Sequence, residues 1–164
     1  LNDYAETIFR TPALTATALI VMGLALWGVD RYASARRTLS ALTVVDALII
    51  GVAQVAALIP GVSRSGATIT AGRALGADRA GAAVFSFLLS MPITAAAATF
   101  EARNAISTPG AAAPLLVGIT CAAVSGWFAI SFLLRLVRTR GYAAFAWYRL
   151  ILGATVLALV FARG

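Results

Sequence analysis

The stretch "VVDALIIGVAQVAALIPGVSRSGATITAGRALG", residues 44–76, is where the fold is decided. As a helix its apolar first arm, residues 44–59, rises only roughly 24 Å and its second arm, residues 67–76, roughly 15 Å. A bilayer core is about 30 Å thick, so neither arm crosses alone. Pro60 has no N–H to give and its ring clashes with the preceding turn, so the first helix is expected to end there. Gly61 then permits a backbone turn that other residues resist. Broken backbone at membrane depth is tolerated only where protein buries it or water lines it. The segment therefore reads as a re-entrant helix-loop-helix hairpin with its tip, residues 60–66, pointing into a cavity.

The rest of the 164-residue chain supplies the surroundings. It is 61% hydrophobic and only 12% charged, well outside the soluble range of about 45–50% apolar and about 25% charged. Residues 12–29, 81–100, 114–134 and 143–161 are long and apolar enough to cross, the last interrupted by Arg149. The fold class expected is an all-α integral membrane protein, residues 1–164 forming one domain of about four transmembrane helices plus the hairpin. The opening "LNDYAETIFR" is as acidic as it is basic, and no small-residue cleavage site follows, so it is not expected to be a signal peptide.

Charge agrees with a hairpin that enters and leaves by one face. On that reading Arg31, Arg36, Arg37, Arg79, Arg135, Arg138 and Arg140 share one side, and Arg10, Arg103 and Arg163 the other. The crowded side is then cytoplasmic. All thirteen basic residues are arginine, against six acids, for a net charge of +7. In so apolar a chain this reflects anchoring at the membrane edge rather than nucleic-acid binding, for which a basic patch interleaved with aromatics is missing. The single Cys121, expected to be buried in the third span, excludes an intrachain disulfide, and the lack of histidine argues against zinc.

An arginine deep in the membrane calls for an anionic partner. No acid lies within nine residues of Arg64 on either side, so that partner must come from elsewhere. Ser63 and Ser65 add hydroxyls, Gly66 lets a ligand approach the backbone, and the helix starting near Ser65 or Gly66 offers free N–H groups and a positive dipole end. Together these parts suit an oxyanion, whose geometry the planar guanidinium fork matches. The same residues also suit a plain N-cap, a kink and a structural ion pair. Arg149 is similarly open between snorkelling and lining the cavity.

The run "GVAQVAALIPGVSRSGATITAGRALGADRAGAAVFSFLLSMP", residues 51–92, together with "RGYAAFAWYRLILG", residues 140–153, resembles the second signature region of the undecaprenyl pyrophosphate phosphatases, bacterial enzymes linked to bacitracin resistance. The resemblance implies a multi-pass inner-membrane enzyme that removes the terminal phosphate of a C55 polyprenyl diphosphate. It also implies two inverted-topology halves, each with a re-entrant hairpin, and an activity associated with Mg²⁺ or Ca²⁺. Carried over, Ser63, Arg64 and Ser65 are the catalytic positions, with Thr68 next in line, and Gly61, Gly66 and Arg149 complete the expected substrate-binding set.

One departure is large. The family's first signature, a Glu-rich helix leading to a Pro-Ile-Ser-Ser-Thr-Gly-His loop, is absent, and the acids present, at positions 3, 6, 30, 46, 78 and 101, do not flank the tip. Metal ligands are therefore not expected in this chain, which looks like the C-terminal half to two-thirds of the enzyme. Its expected partners are the lipid diphosphate, the membrane, the missing N-terminal half and, in a homodimer, a second copy. Taken alone, the same cradle would also serve a non-catalytic polyprenyl-phosphate binding or translocating protein, since broken helices are transporter architecture too.

Overall fold

The computed structural model describes residues 11–106, 110 and 112–163. The expected side of Arg10 and the reading of the opening residues fall outside that range. Most of the described residues are helical, and none of them lies in a β-strand. Helix α1 spans Pro12–Tyr32, α2 Val44–Ala53, α3 Arg64–Ala74, α4 Arg79–Ile106, α5 Ala112–Arg140 and α6 Ala143–Arg163. Four of them, α1, α4, α5 and α6, are long and apolar enough to cross a membrane, which makes this a multi-pass membrane protein.

Between α1 and α4 the chain makes the expected helix, break and second helix. Thr43 and Asp46 form a reciprocal capping box that starts α2. The α-helix tightens at Gln54–Leu58 into a 3₁₀ segment before the chain turns at Pro60 and Gly61. Gly61 has φ +95°, and a side chain there would run into the Thr15 carbonyl of α1. Both mouths of the hairpin are held by Arg37. Its guanidinium donates to the Asp46 carboxylate at the start of α2 (3.1 Å to Oδ1) and to the Leu75 carbonyl just past α3 (3.2 Å). Its backbone N–H meets the Gly76 carbonyl at 3.1 Å. The segment thus begins and ends at the same level of the bundle.

Small residues let α1 and α6 pack closely. A β-carbon on Gly23 would lie 3.3 Å from the Ala146 carbonyl, and one on Gly153 2.8 Å from that of Ala16. Helix α3 packs against α1, α2 and α4, and its Thr68 hydroxyl shares a 2.7 Å hydrogen bond with Ser86 of α4. The main apolar core gathers near the arginine-rich end, from Leu26, Ile69, Ala77, Ala82, Ala83, Val137 and Tyr142. Helix α5 is the outermost element: Val137 is its one buried residue among those described. This corrects the expectation for Cys121, which is exposed on α5 because that helix turns its middle away from the bundle.

Candidate functional site

The tip is built by two backbone positions with positive φ. After Gly61, Ser63 adopts φ +63° and ψ 126°, and is the one described residue other than glycine with positive φ. Such a conformation costs on the order of 1–3 kcal/mol and persists only where the surroundings impose it. It makes Ser63 the N-cap of α3: its hydroxyl accepts from the Gly66 N–H at 3.3 Å and lies 3.3 Å from the Ser65 hydroxyl. The helix therefore starts one or two residues earlier than the sequence suggests, at Arg64.

Arg149 reaches the tip from α6. It sits in the second turn, about 9 Å of rise from the helix start, and its Nη2 donates to the Val62 carbonyl at 3.2 Å. Its Nη1 is buried and has no hydrogen-bond partner. That same atom lies 2.6 Å from where a Gly66 β-carbon would be, so a larger residue there would push the guanidinium aside. Ser63, Ser65, Gly66 and Arg149 together line a cavity of about 320 Å³. The rest of its lining is largely apolar, from Leu26, Ile69, Phe87, Leu133 and Phe145 with Tyr142 and Tyr148.

The remaining expected site residues stand elsewhere. Arg64 is exposed, does not line this cavity, and its guanidinium has no hydrogen-bond or ion-pair partner among the described residues. Thr68 is buried, its hydroxyl bonded to the Arg64 carbonyl at 3.0 Å as well as to Ser86, so it braces the first turn of α3. Gly61 shapes the tip against α1. Among the described residues no three His, Cys, Asp or Glu side chains cluster as a metal site would require. The described residues do not form an oxygen-ligand set that Mg²⁺ or Ca²⁺ would require.

Sequence reasoning missed a second polar cluster at the other end of the hairpin. Asp30, near the end of α1, accepts from Arg79 Nε at 2.8 Å and Nη2 at 3.1 Å, and from the Tyr142 N–H at 3.0 Å. Arg73 of α3 is only 1% exposed. Its guanidinium bonds the Ser34, Ala77, Asp30 and Ala33 carbonyls, with Nε 3.5 Å from Asp30. The Tyr142 hydroxyl donates to the Arg79 carbonyl at 2.7 Å. Burial, and next the Asp30 charge, push that phenol well above its ordinary pKa, so it stays protonated. The sequence signal was an isolated acid at the end of one span, facing arginines 43 and 49 residues away.

Taken together, fold and site define a class: a helical multi-pass membrane protein whose one broken helix carries a Ser-Arg-Ser loop against an arginine from the last span. Within that class, the chain belongs to the bacitracin resistance protein BacA family, whose pattern matches residues 1–155. It is 55% identical to the undecaprenyl-diphosphatase of Gemmatimonas aurantiaca, over 99% of this chain and 61% of that protein. It is 46% identical to that of Pelotomaculum thermopropionicum, over 99% and 61%, and 49% identical to that of Geotalea daltonii, over 95% and 58%. The chain thus spans about three-fifths of the length of these curated relatives. The two runs that carry the resemblance meet in space: residues 51–92 give the tip, the Ser86 brace and Phe87, and residues 140–153 give Tyr142, Phe145, Tyr148 and Arg149.

Proposed function

We propose that this chain supplies the diphosphate-binding part of a bacterial inner-membrane phosphatase that hydrolyses undecaprenyl diphosphate to undecaprenyl phosphate and phosphate. The observation that carries the reading is the pairing of hydroxyls and an unpartnered guanidinium N–H with an apolar cavity. Ser63, Ser65 and Arg149 line that cavity together with mostly apolar side chains and two tyrosines, and Arg149 Nη1 is buried beside Gly66 without a partner. A ligand with an anionic head and an apolar tail matches this mixed lining. Water attacks the terminal phosphorus, the bridging P–O bond breaks, and the lipid monophosphate leaves. Such a transfer depends mainly on positioning and charge neutralisation. Arg149 would hold the head group from α6, Arg64 would add a second guanidinium from the exposed side of the tip, and the Ser63 and Ser65 hydroxyls would orient its oxygens. Gly61 and Gly66 keep the backbone close, and Thr68 fixes the helix start beneath them.

The base that accepts the water proton, and any Mg²⁺ or Ca²⁺ ligands, would come from outside the chain, from the missing N-terminal half or a second copy in a homodimer. One observation favours a second reading. No carboxylate or imidazole stands at the tip among the described residues, so the chain by itself would bind or translocate a polyprenyl phosphate without cleaving it.

The test is phosphate release from a polyprenyl diphosphate by the purified full-length protein. Arg64→Lys keeps the charge and loses the bidentate fork, and is expected to lower turnover or binding at least about tenfold, about 1.4 kcal/mol. Near-normal activity would make Arg64 structural. The 164-residue chain alone is expected to retain head-group affinity without hydrolysis. Robust turnover by it would move the chemistry into this chain.

A further inference from the structure

We infer that the arginine-rich end of the bundle carries a second oxyanion site, separate from the tip, in two clefts that flank the Asp30–Arg79 ion pair. The larger, about 500 Å³, is lined by Arg73, Arg79 and Arg138 with Asp30 and Asp78. The smaller, about 150 Å³, is lined by Arg31, Arg79 and Arg140 with Asp30 and the ring of Trp27.

The charges in these clefts do not balance. Five arginines meet two aspartates, and both aspartates are already engaged. Asp30 accepts three hydrogen bonds from Arg79 and Tyr142, and Asp78 Oδ1 caps α4 through the Gly81 N–H at 2.5 Å. Arg73 is 1% exposed and already paired, its Nε 3.5 Å from Asp30 Oδ1 without a hydrogen bond, so Asp30 serves Arg73 and Arg79 together. Arg138 and Arg140 are exposed, with no partner among the described residues. A surplus of guanidinium charge gathered at one end of the bundle favours an anion, and guanidinium forks match the oxygens of a phosphate. Trp27 in the smaller cleft marks headgroup depth, where basic pockets between helices take anionic lipid heads. The ligand class is therefore a phosphate-bearing anion, drawn from a phospholipid head group or from free phosphate. This site does not depend on the activity proposed for the tip.

The test compares two charge-matched double variants of the full-length protein in nanodiscs. Arg138→Ala with Arg140→Ala removes one exposed wall from each cleft. Arg36→Ala with Arg135→Ala removes two exposed arginines that line neither. In the lipid arm, affinity for phosphatidylglycerol is read by native mass spectrometry. The cleft variant is expected to lose at least about tenfold more than the control, whose two arginines contribute only the general attraction of an anionic surface that both variants lose alike. In the second arm, inorganic phosphate is titrated against chloride at matched ionic strength in phosphatidylcholine discs, with thermal stability as the readout. Saturable stabilisation that only the cleft variant weakens supports the site with free phosphate as its ligand. Equal losses in the two variants, or no cleft-specific loss in either arm, overturn the site.

Discussion

The two ends of the hairpin use arginine in opposite ways. At the mouth, Arg37, Arg73 and Arg79 are tied to carbonyls and to the carboxylates of Asp46 and Asp30, with the backbone folded neatly between them. At the tip, the Arg64 guanidinium has no described partner, Arg149 makes one hydrogen bond and leaves Nη1 without another, and Ser63 carries a strained φ. Paired arginines fix a shape; the guanidinium donors left unpaired beside the strained Ser63 do not. Sequence spacing alone does not separate the two kinds, since Arg64 and Arg73 lie only nine positions apart on the same short helix.

The largest expected effect comes from cutting the mouth. Asp30→Asn leaves Arg73 and Arg79 without their shared counter-charge, and breaking a buried pair costs about 3–5 kcal/mol. We expect poor recovery of folded protein in mild detergent and a collapsed melting transition. A wild-type melting curve would mean that the carbonyls alone hold the mouth. Next comes the tip. In Gly66→Ala the new methyl meets Arg149 Nη1, the movable end of a side chain, so the fold should survive while turnover falls about tenfold, equivalent to about 1.4 kcal/mol. Stability and activity falling together would erase the contrast between the two ends.

Ser63→Gly sharpens the comparison from the other side. Glycine at an N-cap costs only a few tenths of a kcal/mol, and it relieves a left-handed conformation worth on the order of 1–3 kcal/mol. Melting temperature should rise or hold while activity drops with the hydroxyl. The smallest effect is that of acid on Arg37 and Asp46. The Arg37 guanidinium, then the Thr43 N–H, hold the Asp46 carboxyl well below the usual range. Its contribution is therefore complete above the ordinary value of about 3.9 and is lost as pH falls through the lower folded value. Asp46→Asn should flatten the acid limb of a stability profile and leave the neutral region little changed. Reversed dependence would rule out that pair as the clasp of the mouth.

Much of the architecture was legible because the bilayer is a demanding solvent. Uncharged runs long enough to cross had to be helices, and Pro60-Gly61 had to interrupt the one segment too short to do so. The polar composition of the tip was legible for the same reason, since an arginine between two serines stands out in an apolar run. Cys121 was misread because apolar sequence does not distinguish a side chain that faces lipid from one that faces protein. Asp30 was passed over because its partners come from α3 and α4, far along the chain.

By itself, then, the sequence determined the helices, the break at residues 60–61, and the presence of a basic, hydroxyl-bearing loop. These follow from local terms: hydrophobic length, the missing N–H of proline, and the permissive backbone of glycine. Only tertiary structure decided that Arg149, rather than Arg64, shares a cavity with Ser63 and Ser65, and that Arg73 is a buried brace. Both outcomes hang on which helix packs beside α3 and on the angle at which a guanidinium arrives. Those are set by close packing of small residues such as Gly23, Gly66 and Gly153 between elements distant in sequence, and hydrophobic periodicity along one chain does not encode them.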